Sequence, residues 1–433
     1  MTLPRHSRIG IYVTFLTLAS GVSAVGQETS ATATKPAETR LLGSEKPNNS
    51  DLVQELDADS LALSEVPADP LLRPDPLASI FTPFDGLVKE VHGTERAKFG
   101  ATYTFLGEYA TSVPDAFRHE QVSGRLDFTG AWKAYDRGGS AGSISLLVRS
   151  GTNIGMSQQF NLSDKLGSGL YLNALQGGGP QEPITVNVLY WREDFLNKRI
   201  SFYIGKIHPN QYVSLSMFNN DERTQFLNGE NDGNVAFAYD GTYAGGAALE
   251  VQATQHIYVH TLVVDTEGSQ QSNLKTLVDR KYMESAEVGW FSGSPGEQYR
   301  DYRVYMWRDD TQHQGSGYGG GFGFEHEFSS GWAPFGKFGI ATDRGTDIRQ
   351  TNTLGVAQVH PFARSGDMFG VSFSYTEPNQ TGKRHESVAE SFYRVRLTQS
   401  ISLGPDLEVS IHPTYATKAY TTALLGARVL INF

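Results

Sequence analysis

The sequence predicts an all-β protein, a transmembrane antiparallel up-and-down β-barrel of about 16 strands with a flexible N-terminal extension. Three observations support this prediction. From Lys98 onwards, segments of about 8 to 12 residues alternate apolar and polar side chains between turn residues. Charged residues stand in the middle of these segments on the polar face. The chain also ends in a strand-like segment whose last residue is Phe433.

The composition narrows the possible classes of protein. The chain has 433 residues, no cysteine, 46 glycines and a formal net charge of −11. The absence of cysteine excludes disulfide and thiol chemistry, and an acidic chain without a basic stripe argues against nucleic-acid binding. Charged residues make up 19% and aromatic residues 11%. Low charge with many aromatics suits strands that face lipid on one side and water on the other.

The first 24 residues have the pattern of a Sec-type signal peptide. Arg5 and Arg8 precede an apolar core, Ile9–Ala19, and Val22–Ala24 supplies the small residues of a cleavage site. About 11 apolar residues are too few to cross ~30 Å of hydrocarbon as a helix. No apolar run of about 18 or more residues occurs elsewhere, which excludes a helical membrane protein.

Residues 25–80 are predicted to form a flexible periplasmic linker, because they lack strand alternation and carry four prolines close together near their end. A short amphipathic helix at Asp51–Leu63 that contacts a partner is the alternative. Residues 81–97 are predicted to form a short helical lead-in, and the barrel is predicted to occupy residues 98–433.

Within the barrel, alternation assigns side chains to two faces. In the first strand Phe99, Ala101, Tyr103 and Phe105 oppose Lys98, Thr102, Thr104 and Glu108. In a later strand Ile184, Val186, Val188 and Tyr190 are predicted to share one face. Aromatic residues near strand ends are typical of membrane-interface belts; they are Tyr109, Trp132, Tyr190, Trp191, Trp290 and Trp307. A pair of soluble β-sandwiches or a propeller is the alternative to a membrane barrel.

The last segment, Ala423–Phe433, alternates regularly and ends in an aromatic residue. Such a strand is expected to pair with the first one, because an open sheet edge cannot exist in lipid. The terminal Phe433 resembles the signal that outer-membrane assembly machinery reads.

Four stretches resemble the carbohydrate-selective porins of the OprB family. They are Phe99–Ala110, Val186–His208, Phe218–Asn228 and Glu386–Pro413. Where the family usually has a Trp-Gly-Gly motif before the first strand, this chain has Phe84-Asp85-Gly86, which suggests a divergent member. The resemblance implies a bacterial outer-membrane porin through which small sugars diffuse passively, working as a monomer. A general porin, commonly a trimer, is the first alternative. A soluble β-protein that binds a partner through its loops is the second.

No enzyme is predicted, because no local motif of a hydrolase, metalloprotease or phosphate-binding loop occurs. A barrel hydrolase with a Ser/His pair lacks a local signature and stays open. Glu325 and Glu327 flank His326, but a strand would point His326 to the opposite face, so no metal site is predicted there. No cofactor is predicted.

The alternation of side chains between the two faces of each strand predicts which side chains line the lumen and contact a sugar. They are Arg125, Arg149, Arg303, Tyr305, Trp307, Arg394 and Arg396. Arginine offers paired donors to hydroxyl groups, and aromatic rings offer a surface to the apolar face of a sugar. The alternative is that the arginines form salt-bridge ladders that stiffen the wall.

The segment Asn219–Asn234 is the predicted constriction loop, and its charged residues are Asp221, Glu222, Arg223, Glu230 and Asp232. An ordinary solvated outer loop is the alternative. Asp221, Glu230 and Asp232 carry ligands suitable for Ca²⁺, but their spacing does not fit the EF-hand pattern, so no metal is predicted. Gly151–Pro183 is predicted to be a second mobile loop or plug.

Overall fold

The computed structural model describes most of the chain after Pro70. The described residues are 70–73, 75, 77, 96–114, 117–158, 160–173, 175, 184–237, 243–268, 276, 279–293, 298–311, 315–342 and 346–432. The predicted signal peptide, nearly all of the linker and lead-in, and Phe433 lie outside the described residues.

Sixteen antiparallel strands form the wall, which confirms the predicted number. Their bounds are β1 Ala97–Ala110, β2 Glu120–Arg137, β3 Ser140–Asn153, β4 Thr185–Phe195, β5 Ile200–Ile207, β6 Ala244–Gln252, β7 Ile257–Asp265, β8 Tyr282–Ser292, β9 Arg300–Thr311, β10 Gly315–His326, β11 Trp332–Ala341, β12 Ile348–Val359, β13 Met368–Pro378, β14 Glu386–Arg396, β15 Ile401–Ile411 and β16 Thr421–Asn432.

Each strand pairs with its neighbours in sequence, and β1 also pairs with β16, so the sheet is a closed barrel. The closing register runs from Thr102 opposite Asn432 to Ala110 opposite Leu424. Closure gives every wall strand a hydrogen-bonding partner on both sides, as a barrel in lipid requires. Among the described residues, no helix combines the length and the apolar character needed to cross a membrane.

The two ends of the barrel differ in their connections. At the end where β1 begins, the connections are short; they are residues 138–139, 196–199, 253–256, 293–299, 327–331, 360–367 and 397–400. The long connections, residues 154–184, 208–243 and 266–281, lie at the opposite end. Short turns are periplasmic and long loops are extracellular in outer-membrane barrels. The inner loop between β5 and β6 and the loop after β3 both start from the end with the long connections.

Alternation along β9 shows how the wall separates lipid from lumen. Val304 and Met306 are 62% and 67% exposed. The residues that alternate with them, Arg303 and Tyr305, are buried. The apolar row thus faces outward and the polar row faces the interior. Exposed aromatic residues occur near strand ends, as an interface belt requires; they are Tyr109, Trp132, Trp290, Tyr302 and Trp332.

The predicted faces of β4 are wrong over part of their length. The β3–β4 register shifts so that Leu147 pairs with Val188 while Val148 pairs with Val186, which leaves Asn187 as an extra residue. A bulge of one residue moves every later side chain to the other face. Val186 therefore faces outward, whereas Val188 and Tyr190 are buried inside, and Tyr190 is not part of the aromatic belt.

The described residues of the predicted linker contact the short-turn end of the barrel. The backbone N–H of Leu72 donates to the carbonyl of Leu397 at 2.8 Å. The carboxylate of Asp75 accepts from the N–H of Ser400 at 2.8 Å. These contacts fix the chain beside the β14–β15 turn. Ala97, assigned by sequence to the lead-in, already belongs to β1.

Candidate functional site

The inner loop, defined here as residues 208–237 between β5 and β6, folds into the barrel and is mostly buried. It contains the short helix α2, Gly229–Asp232. Asn228 begins this helix because its side-chain oxygen accepts from the N–H of Asn231 at 3.0 Å. Four residues of helix have little stability alone, so the surrounding wall must hold the loop in place.

Buried glutamates of the wall accept backbone hydrogen bonds from the inner loop. Glu287 on β8 accepts from the N–H of Ser214 at 2.6 Å. Glu325 on β10 accepts from the N–H of Met217 at 3.1 Å. On β14, Glu390 accepts from the N–H of Leu227 and from both the backbone and the side-chain amide of Asn228. Since these strands lie on different sides of the barrel, the loop spans the lumen.

Lysine and amide side chains complete the attachment. The Lys337 ammonium on β11 donates to the carbonyls of Asn231 at 2.9 Å and Gly233 at 2.8 Å, at the end of α2. A cation at a helix C-terminus also meets the negative end of the helix dipole. The Asn231 side chain donates to the Ser372 hydroxyl at 2.8 Å. Helix α2 is thus held between β11 and β13.

A second loop follows β3, and its residues 160–173 are also mostly buried. It carries helix α1, Leu162–Leu166, whose leucines pack with Leu170 and Leu172 against β1, β14 and β16. Glu386 on β14 accepts from the N–H of Gly169 at 2.8 Å. The carbonyl of Leu170 accepts from the N–H of Gly229 at 2.8 Å, which joins the two loops.

Two predicted lining arginines, Arg125 and Arg149, share one aspartate. Arg125 Nε lies 3.0 Å from Asp127 and Arg149 Nε lies 2.7 Å from it. Arg125 also forms an ion pair with Glu222 of the inner loop, and Arg149 donates to the Tyr243 hydroxyl at 2.9 Å. This arrangement is a charged ladder that ties β2 and β3 to the loop, which agrees with the alternative interpretation of the arginines.

The other predicted arginines lie in three different surroundings. Arg303 is buried between Asp301 and Glu325 at 3.5 and 3.1 Å. Arg396 is near the short turns, where it donates to the carbonyl of Gln399 at 2.6 Å. Arg394 is half-buried and lines a small cavity of the lumen with Arg223 and Arg428. Of the predicted set, Arg394 therefore comes closest to an open lining position.

The predicted aromatic pair points inward but is covered by the inner loop. The Tyr305 hydroxyl accepts from the side-chain amide of Asn234 at 2.7 Å. Trp307 packs edge-to-face against Phe237 with ring centroids 6.1 Å apart. His326 lies on the outer face, opposite buried Glu325 and Glu327, as the sequence predicts.

Charge pairing organises the first half of the predicted constriction segment. Arg223 Nε lies 2.9 Å from Asp221. Burial opposes ionisation of Asp221, but the Arg223 guanidinium outweighs it and holds the pKa of that carboxyl below its usual value. Arg125 likewise lowers the pKa of Glu222 against the effect of burial. Both carboxylates are therefore charged near neutral pH.

The second half of the segment is less favourable for charge. Burial raises the pKa of Glu230 to about 7, against the attraction of Lys337. Burial and the nearby Glu222 raise the pKa of Asp232 well above its usual value. In the described part of the chain, Asp221, Glu230 and Asp232 do not form a group able to share a metal ion. The carboxyl groups of Glu390, Asp406 and Glu408 lie close enough together to share a metal ion.

The sequence interpretation missed the residues that attach the loops. They are Glu287, Glu325, Lys337, Glu386 and Glu390. All five are charged residues at inward, buried positions, although Glu386 is the first residue of β14 and Glu325 is near the end of β10. The alternation of side chains along each strand alone could therefore have placed them inside. The alternation does not reveal that each of these residues binds a loop from a distant part of the sequence.

Comparison with known proteins identifies similar sequences over most of the barrel. The profile of the family described as "Carbohydrate-selective porin, OprB family" matches residues 148–433. Porin AaxA of Chlamydia abortus is 24% identical over 254 residues, 56% of this chain and 56% of that protein. Porin AaxA of Chlamydia pneumoniae is 29% identical over 106 residues, 23% and 24% of the two chains. The chain spans about half the length of the curated relatives it matches.

Solved structures share the fold at low sequence identity. The high-pH structure of Pseudomonas putida OprB superposes with a TM-score of 0.66 at 11% identity, covering 81% of this chain and 97% of that chain. A mutant of Rh. blastica porin gives a TM-score of 0.50 at 12% identity, covering 78% and 100%. At these identities the likeness is one of fold alone.

Proposed function

Because the chain belongs to the carbohydrate-selective porin family, OprB, we propose that it is a passive porin for small hydrophilic solutes, with carbohydrates as their chemical class. Family membership and the closed barrel imply an outer-membrane location. The signal-like segment Ile9–Ala19 supports Sec-type export to that membrane.

The inner loop is the observation that carries this proposal. A pore lowers the cost of moving a polar solute through hydrocarbon by keeping the solute hydrated or hydrogen-bonded. The loop narrows the barrel and is fixed by Glu287, Glu325 and Glu390 from three strands. A fixed constriction selects solutes by size, whereas a loop free to move would not.

The groups beside the constriction suit neutral hydroxylated solutes. Arg223, Arg394 and Arg428 line one cavity together with Thr224 and Ser402. Guanidinium and hydroxyl groups can replace the water that hydrates a sugar. A general porin is the second candidate, because charged groups of both signs lie inside and neither sign alone defines the lumen.

Liposome swelling tests the proposal. Proteoliposomes of the refolded barrel are placed in isosmotic solutions of monosaccharides, disaccharides, and amino acids of similar size. We expect sugar flux that falls steeply with sugar size and exceeds amino-acid flux. Boiled protein in the same lipid is the control. Equal rates for sugars and amino acids would favour the general porin, and absence of size-limited flux would refute a passive porin.

A further inference from the structure

Three inward-facing carboxylates meet on neighbouring strands near the inner loop. Glu390 of β14 and Glu408 of β15 stand directly opposite each other in the register, and Asp406 is two residues before Glu408. One oxygen from each lies within 4.8 Å of the others. All three residues are buried, with Glu408 at 0% exposure. Carboxylates this close together and this far from water repel each other strongly unless a proton or a cation lies between them.

Glu408 differs from the other two in its surroundings. Glu390 accepts from the side-chain amide of Asn228 at 2.7 Å, and Asp406 lies 3.4 Å from Arg428. In the part of the chain that the structure describes, neither oxygen of Glu408 meets a hydrogen-bond donor. Its carboxylate is instead aimed at the other two. A buried acceptor without a donor is costly, so this side chain points to a bound group.

Most of the strongest charged neighbours of Glu408 are other carboxyl groups. The strongest charged neighbours of Glu408 include the carboxylates of Glu390, Asp406 and Glu108 and the guanidinium of Arg428. Glu108 of β1 and Asp406 of β15 are both paired in register with Gly426 of β16. Because glycine has no side chain, no side chain of β16 separates these two carboxyl groups at that position. The Arg428 guanidinium also donates to the carbonyl of Glu222, so it is shared with the loop. Within this group a single guanidinium faces several carboxyl groups, so a proton or a cation must lie between the carboxyl groups.

We propose that Glu390, Asp406 and Glu408 bind a divalent cation, Ca²⁺, between β14 and β15. Oxygens at most 4.8 Å apart can all lie within about 2.8 Å of a common point, close to the Ca–O distances of about 2.3–2.6 Å. Mg²⁺ requires shorter distances and stricter octahedral geometry, which this spacing suits less well. Water molecules supply the remaining ligands that Ca²⁺ needs.

The cation would also act on the inner loop. Glu390 holds the amides of Leu227 and Asn228 and at the same time faces Glu408. A bound cation keeps Glu390 ionised, and an ionised acceptor makes the stronger hydrogen bonds. Calcium would therefore stiffen the attachment of the loop at β14. This inference concerns a binding site and does not rest on the proposed passage of carbohydrates.

Calorimetric titration of the refolded full-length barrel tests the site. The protein is refolded in detergent without lipopolysaccharide, treated with chelator and titrated with CaCl₂, then separately with MgCl₂. We expect one Ca²⁺ per barrel, weaker Mg²⁺ binding, and at least a tenfold loss of Ca²⁺ affinity in Glu408→Gln. Glu327→Gln is the matched control, because it neutralises another buried glutamate outside the cluster, one that accepts from the backbone N–H of Tyr299 at 3.1 Å. This variant should bind Ca²⁺ like the wild type.

Heat-modifiable gel mobility must first show that each variant is folded. If Glu408→Gln does not fold, Asp406→Asn takes its place with the same expected loss. Absence of Ca²⁺ binding by the folded wild type would show that protons hold the carboxylates together, and would overturn the proposal. Unchanged affinity in the folded cluster variant would overturn it as well. Failure of sugar flux in liposomes would leave this titration unaffected, so the two proposals fail separately.

Discussion

At the scale of single residues, this barrel uses buried charged groups as attachment points. A buried carboxylate that accepts backbone N–H hydrogen bonds keeps donors around its charge in place of water. Glu390 accepts two such bonds, from Leu227 and Asn228, and a third bond from the side-chain amide of Asn228. Glu386 accepts from Ser168, Gly169 and two groups of Thr414. These glutamates contact loops that lie far away in sequence. Their buried charge is therefore tied to the shape of the lumen.

Lys337→Met tests the attachment of α2. The wild-type ammonium is buried and donates to the carbonyls of Asn231 and Gly233. A methionine of similar length fills the space but leaves these carbonyls without the donor, which costs about 1–3 kcal/mol. We expect a lower urea midpoint and a larger, noisier single-channel conductance in planar bilayers.

Lys133→Met is the control for Lys337→Met. Lys133 is exposed and pairs with exposed Asp136, so its loss should change stability by no more than a few tenths of a kcal/mol. Identical conductance in wild type and Lys337→Met would show that α2 keeps its place without the lysine.

At the scale of elements, strands and loops were predictable to different degrees. The strand number follows from period-two alternation, which each strand carries in its own sequence. The bulge at Asn187 was not predictable, because the segment around Val188 is apolar on both faces and alternation gives no register there. The inner loop could be located from its composition. Its attachments could not, because they join Met217 to Glu325 and Leu227 to Glu390 across the folded barrel.

The inner loop should respond to pH through Glu230. Burial raises the pKa of this carboxyl to about 7, compared with about 4.3 in an unfolded chain. Between these values the folded state binds more protons, so this residue's contribution to folding falls as pH rises and is smallest above pH 7. Each unit of pKa difference corresponds to about 1.4 kcal/mol. Between pH 5 and pH 8, we expect the free energy of unfolding to fall less in Glu230→Gln than in the wild type.

Urea midpoints at pH 5, 6.5 and 8 measure this effect as the difference between wild type and variant. Glu284→Gln is the control, because Glu284 is an exposed glutamate of the outer face and should give the wild-type profile. A parallel profile for Glu230→Gln would mean that Glu230 stays ionised across this range, stabilised by Lys337.

At the scale of the whole molecule, the wall and the interior loops are separable structures. Closure of β1 on β16 and the pairing of every neighbouring strand depend on backbone hydrogen bonds within the wall. The loops lie inside and bind wall side chains. Ile207 at the end of β5 pairs with Ala244 at the start of β6, so the ends of the connection that carries the inner loop are already adjacent.

This separation predicts that the connection can be shortened without loss of the barrel. Replacing residues 209–242 by a short Gly/Ser turn removes the inner loop and leaves the paired strands in place. We expect the variant to keep heat-modifiable mobility and to admit larger oligosaccharides in swelling assays, because the constriction and not the wall limits solute size. The same Gly/Ser turn in place of residues 253–256, at the opposite end of β6, should leave the size limit unchanged. An unchanged limit after removal of the inner loop would assign the constriction to the second loop, whose Leu170 carbonyl contacts Gly229 in the intact protein.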